Sequence, residues 1–111
     1  ILWGSGSPLR EFLHVDDLAS AILFSIENNI NPGMYNIGSG HEISILNLAK
    51  LIQKIIGHTQ KIKWDMTKPN GTPRKILDSS KFKNLGWDFK ISLENGICSV
   101  YDSLKFNNFN F

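Results

Sequence analysis

The chain has 111 residues, enough for one small domain with a single core. Its hydrophobic fraction of 41% excludes a disordered chain, and its net charge of +2 is too small to make nucleic acid or a membrane surface the main partner. A lone cysteine, Cys98, excludes an internal disulfide framework and a multi-cysteine zinc site, and no apolar run approaches the roughly 20 residues that cross a bilayer.

Ile1-Leu2-Trp3-Gly4-Ser5-Gly6 reads as a strand running into a turn. It has neither an initiator methionine nor the basic and apolar regions of a signal peptide. The expectation is a piece of a longer cytoplasmic protein, with the missing part N-terminal. Leu18, Ile22 and Ile26 recur at spacing four, with Ala19 and Leu23 beside them, and predict an amphipathic helix. Asp16 and Asp17 stand at its start as caps. Asn31-Pro32-Gly33 is a turn signal, and Met34-Tyr35-Asn36-Ile37 reads as a short buried strand ending at Gly38-Ser39-Gly40.

Ile45, Leu48, Ala49, Ile52, Ile55 and Ile56 form one face of a second helix, capped by Ser44 and ended by Gly57. Lys61-Ile62-Lys63-Trp64 alternates as a strand. Lys68 to Lys75 is a loop rich in proline, glycine and basic residues. A short helix runs from about Ser80 to Leu85 and stops at Gly86. A last helix starts after Ser92 and buries Leu93, Ile97, Val100, Tyr101 and Leu104. Asn107-Asn108-Phe109-Asn110 reads as a fraying tail. The pattern is α/β, with helices dominant and strands short. Strands this few need more sheet than the chain supplies, so the missing N-terminal half is expected to complete the structure.

Arg10 follows the turn residues Gly4 to Leu9, and Arg74 sits in the loop Lys68-Pro69-Asn70-Gly71-Thr72-Pro73-Arg74-Lys75. A guanidinium matches phosphate oxygens bidentately, so two of them converging from separate loops would clamp a pyrophosphate. Composition alone serves equally well for two solvated surface charges. Trp3 and Trp64 offer a flat face to a base or sugar, or are core tryptophans; Trp87 reads as core.

Gly38-Ser39-Gly40, with Asp65 ending the next strand, imitates a dinucleotide-binding fingerprint. Ile43 stands where the third glycine belongs. Tyr101 and Lys105 imitate the Tyr-x-x-x-Lys signature of short-chain dehydrogenases, but Tyr101 belongs to the apolar stripe of the last helix. His14 reads as a satisfied buried group, His41 and His58 as surface, and Cys98 as a packed or surface thiol. Nothing here reads as a catalytic set or a metal site.

Three stretches carry a family resemblance: Trp3 to Asp17, Lys68 to Asp78, and Leu85-Gly86-Trp87 followed by Ile91-Ser92-Leu93-Glu94-Asn95-Gly96. The first resembles the extended short-chain dehydrogenases that act on nucleotide sugars. The second and third are similar to the GDP-L-fucose synthase branch. The resemblance implies that residues 1–111 are the small substrate-binding subdomain, helices with short strands, and that the Rossmann half is absent. It implies a two-step enzyme that epimerises GDP-4-keto-6-deoxymannose and reduces it with NADPH. The family's catalytic Ser, Tyr and Lys, its epimerising Cys and His, and its NADP site belong to the N-terminal half. By position, Trp3 and Arg10 match residues that contact the nucleotide sugar, and Arg74 and Lys75 match the basic loop facing the diphosphate. Asn70 stands where the family has a substrate-binding aspartate; its amide keeps an acceptor oxygen and loses the charge. The resemblance also implies a homodimer formed outside this chain.

Overall fold

The computed structural model describes residues 1–106. The tail expected at Asn107 to Asn110 lies outside the described residues. Among the described residues, two small sheets and four helices follow one another along the chain. Strand β1 (Leu2–Trp3) pairs in parallel with β4 (Trp64–Asp65). Strand β2 (Leu9–Glu11) is the centre of a second sheet, antiparallel to β3 (Glu42–Ser44) and parallel to β5 (Arg74–Lys75). The helices are α1 (Val15–Glu27), α2 (Ile45–Ile56), α3 (Ser80–Lys83) and α4 (Leu93–Phe106).

The boundaries of α2 follow the sequence signals. Ser44 accepts a hydrogen bond from the Asn47 N–H through its hydroxyl, and Gly57 closes the helix in a left-handed conformation. The expected helix 80–85 is shorter, and α4 starts where Ser92 predicts, its hydroxyl accepting from the Asn95 N–H.

Three expectations need correction. Met34 to Ile37 forms no strand, and Met34 is fully in solvent. An extended segment becomes a strand only beside a ladder partner, and the described strands all pair elsewhere. The segment is held instead by the Asn36 amide, which donates to the Asp78 carbonyl. In the stretch 61–64, only Trp64 is in a strand, because the parallel ladder with β1 extends only over Trp64 and Asp65.

The third correction concerns α1. His14, not an aspartate, is its N-cap: the ring Nδ1 accepts from the Asp16 N–H. Asp17 points away from its own helix end. Its carboxylate, 3% exposed, accepts the Lys90 and Ile91 N–H groups at 3.0 Å each. The inward side of α1 is therefore Asp17, Ala21 and Phe24. The apolar stripe of Leu18, Ile22 and Ile26, continued by Val15, faces solvent.

The core is small. Phe82 is its centre, with the rings of Phe24, Tyr35 and Trp87 at 6.0, 5.8 and 5.5 Å. Trp87 is core as expected, and its indole N–H donates to the Ser20 hydroxyl. Val100 is half exposed, so the α4 stripe is only partly covered.

Candidate functional site

The register of the second sheet sorts the basic residues. Side chains alternate across a strand, and residues in register share a face. Arg10 is in register with Lys75, whereas Leu9 is in register with Arg74. Arg10 and Lys75 therefore stand side by side on one face, and Arg74 leaves on the other. The Arg10 guanidinium donates to the Leu9 carbonyl at 2.6 Å, and its Nη2 lies beside Gly71, 3.7 Å from where a Cβ would stand. Lys75 is exposed.

Arg74 is occupied. Its Nε and Nη2 donate to the two carboxylate oxygens of Glu42, each at 2.7 Å. These hydrogen bonds hold the Glu42 carboxyl below its ordinary value and raise Arg74. Arg10 and Arg74 therefore leave opposite faces of the sheet, and Arg10 shares its face with Lys75. The reason is the pleat, which turns neighbouring residues 74 and 75 to opposite sides.

Asn70 joins two loops. Its Oδ1 accepts the Ser5 N–H at 2.7 Å and the Ser5 hydroxyl at 2.9 Å. Trp3, one residue before that loop, is 69% exposed, and the Lys68 ammonium lies 5.5 Å from its ring centroid. Trp64 is different: its ring lies over Gly6, where φ is +74° and a Cβ would come within 2.5 Å of the ring. Trp64 thus packs against the turn, and Trp3 keeps an open indole face. The contacts Gly4–Asn70 and Gly71–Arg10 link the Trp3 loop to the Arg10–Lys75 pair.

The glycine-rich loop 38–40 wraps the chain's own carboxylate. Glu11 accepts the Gly40 N–H at 2.5 Å and, through its other oxygen, the Leu77 N–H at 3.0 Å. A Cβ on Gly38 would lie 2.5 Å from that carboxylate. Lys83 donates to the Ser39 carbonyl, and Asp65 is engaged by the Thr67 hydroxyl and N–H. The residues of this loop do not fit a dinucleotide, because an internal anion fills the place of a phosphate.

Tyr101 and Lys105 also form no catalytic pair. The ammonium sits 4.1 Å over the ring, one helical turn away, and the phenol O–H points to the Ile56 carbonyl. His14 is satisfied at one nitrogen only; its Nε2 is buried without a hydrogen-bond partner among the described residues. His41 is exposed, with its ring edge-on to Phe89. No cluster of three metal-ligating side chains occurs among the described residues. An apolar groove of about 480 Å³ runs between α2 and α4 beside Phe12 and His14, away from Trp3, Arg10 and Lys75.

Two carboxylates, Glu11 and Glu42, organise this region and were not singled out from sequence. Glu11 adjoins Arg10 in the first motif and Glu42 follows the glycine loop. Their partners lie 66 and 32 positions away, however, and no local spacing announces such contacts.

The model of the NAD-dependent epimerase/dehydratase family matches residues 1–38. The chain is 52% identical over 102 residues to GDP-L-fucose synthase 1 of Arabidopsis thaliana, covering 92% of this chain and 32% of that protein. It is 43% identical over 110 residues to the GDP-L-fucose synthase of Escherichia coli strain K12, covering 91% of this chain and 34% of that protein. A GDP-mannoheptose C4 reductase from Campylobacter jejuni, solved with NADP bound, superimposes with a TM-score of 0.82 at 31% identity, over 94% of this chain and 34% of that one. The chain spans about a third of the length of the curated relatives it matches. Its first 38 residues match the family model, and over about nine-tenths of its length the chain is similar to GDP-L-fucose synthases.

Proposed function

We propose that this chain is the nucleotide-sugar-binding part of a GDP-L-fucose synthase. The parent protein would epimerise GDP-4-keto-6-deoxymannose and reduce it to GDP-L-fucose. The observation that carries the site is the parallel register of β2 and β5, which sets Arg10 beside Lys75. A diphosphate is a polyanion that needs paired donors, and a guanidinium next to an ammonium supplies both a fork and a mobile charge. The exposed Trp3 indole, joined to that pair through Asn70 and Gly71, offers a face for the guanine or the sugar. Asn70 and Arg74 shape the site: Asn70 locks the Trp3 loop, and Arg74 braces the sheet.

NADPH, which supplies the hydride when bound, is assigned to the remainder of the protein, since loop 38–40 is closed around Glu11. The catalytic residues are assigned there too. This chain's own contribution is to hold the sugar nucleotide in register with chemistry performed elsewhere, where positioning governs rate. We read the parent protein as a homodimer. The outward stripe on α1 and the groove beside α2 and α4 fit the surface that the remainder of the protein covers.

In the full-length protein, Arg10→Ala should weaken GDP-sugar binding by about tenfold or more, with NADPH binding unchanged, as measured by calorimetry. Unaltered GDP-sugar affinity would reject the site. Residues 1–111 alone should not oxidise NADPH in the presence of the keto sugar.

A further inference from the structure

Arg74 and Lys75 are the whole of strand β5, and only one of them can face Arg10. The ladder that decides which is short. Two residue pairs and the Leu9 N–H donating to the Pro73 carbonyl fix β5 against β2. Backbone bonds of this kind are nearly the same after a slip of one residue, whereas every side chain would change face. The slipped strand would point Lys75 at Glu42 and Arg74 at Arg10. Something must distinguish the two alignments, and the backbone does so weakly.

Glu42 supplies the distinction. It is on β3, the strand flanking β2 on the side away from β5, and its carboxylate reaches across β2 to Arg74. The contact is a fork-to-fork pair, which a guanidinium makes and an ammonium does not. The Glu42 side chain is 17% exposed, so it is held in place, while its partner reaches it from solvent. We infer that Glu42 is a positioning residue: by taking Arg74 in a bidentate pair it fixes the register of β5 and thereby presents Lys75 on the face of Arg10.

This inference rests on the binding reading above, and the test separates the two. GDP affinity is measured by calorimetry in the full-length protein, for Lys75→Ala, Glu42→Ala and the double variant, with melting temperatures recorded for each. Glu42→Ala should lose about fivefold or more in GDP affinity, and should cost nothing further in the Lys75→Ala background, because its effect passes through Lys75. In steady-state kinetics the loss should fall on KM, with kcat retained. The milder Glu42→Gln should lose less in the same direction, and exchanging the charges (Glu42→Arg with Arg74→Glu) should restore affinity. Wild-type GDP affinity in Glu42→Ala overturns the inference. So does a loss that is undiminished in the Lys75→Ala background, which would mean that Arg74 or Glu42 acts on the ligand without Lys75. If Lys75→Ala and Arg10→Ala themselves bind GDP as wild type does, the binding reading fails first and this inference falls with it.

Discussion

Replacing Asp17 tests whether the frame around the site is held by polar struts. Its carboxylate is buried and accepts two N–H groups, of Lys90 and Ile91, at 3.0 Å. In Asp17→Ala both part-buried N–H groups lose their acceptor. Each orphaned donor costs about 1–3 kcal/mol, so the sum is about 2–6 kcal/mol. Asp17→Asn keeps one acceptor oxygen and turns an NH2 toward the other N–H, which places its cost near the middle of that range. A competing account assigns the effect to the helix dipole, since Asp17 is in the first turn of α1. That interaction amounts to about 0.3–1 kcal/mol at an exposed position. Asp16, also in the first turn but exposed, is the control: Asp16→Asn should cost no more than the dipole amount. Equilibrium urea unfolding of the full-length protein, followed by tryptophan fluorescence, reads both. If Asp17→Asn lies within about 0.5 kcal/mol of wild type, or no further from it than Asp16→Asn, the strut argument is wrong.

Three further outcomes follow from the same contacts. Gly6→Ala must force a left-handed residue, at about 1–2 kcal/mol, and displace the Trp64 ring that a Cβ would meet at 2.5 Å, at about 1–3 kcal/mol more; thermal melting should show the combined loss. The Glu42 carboxyl lies below its ordinary value of 4.5 because Arg74 hydrogen-bonds it, with a further Coulombic pull from the same group. A carboxyl depressed on folding adds stability that is complete above its unfolded value and disappears as pH falls through the folded value. The stability gap between wild type and Glu42→Gln should therefore be constant at neutral pH and close below pH 4.5; a gap that widens on acidification contradicts the pair. Residues 1–111 expressed alone should bind the dye ANS through the Leu18–Ile22–Ile26 stripe, and Ile22→Lys should reduce that binding; equal dye binding in both would place the apolar surface elsewhere.

What was legible in the sequence is what local chemistry determines. Ser44 and Gly57 bracket α2 because a hydroxyl cap and a left-handed glycine act on their own helix ends. Trp87 was readable as core. Periodicity, by contrast, locates an apolar stripe without saying what covers it, and so α1 was found while its orientation was not. Met34 to Ile37 has the composition of a strand, but strand formation depends on a neighbour that the residues themselves do not name. The site divides in the same way. Arg10 was a candidate from residue type, and Lys75 from the family resemblance alone. That Arg74 is a brace depends on the strand register and on Glu42, 32 positions away.

The balance of core and surface explains why struts matter so much here. Among the described residues three apolar side chains are buried, and the radius of gyration is 16.8 Å against about 13 Å for a compact domain of this length. The chain exposes 8216 Å², whereas a folded monomer of its mass exposes about 6,200 Å². The excess of about 2,000 Å² exceeds the roughly 800 Å² that one partner contributes to a standard interface. On the function proposed above, an interface of that size against the remainder of the protein would cover α1 and the α2–α4 groove, and would leave the sheet carrying Arg10 and Lys75 open to a ligand. The sheet therefore gains little from apolar burial on its open side and is held by Glu11, Glu42 and Asn70, each joining segments at least 29 residues apart. Such bonds are directional. They fix where Lys75 and Trp3 stand in a way that apolar contact, tolerant of small shifts, does not. On this argument, apolar changes on α1 should reduce the stability of the full-length protein and leave GDP affinity intact, whereas changes to the three polar braces should lower GDP affinity.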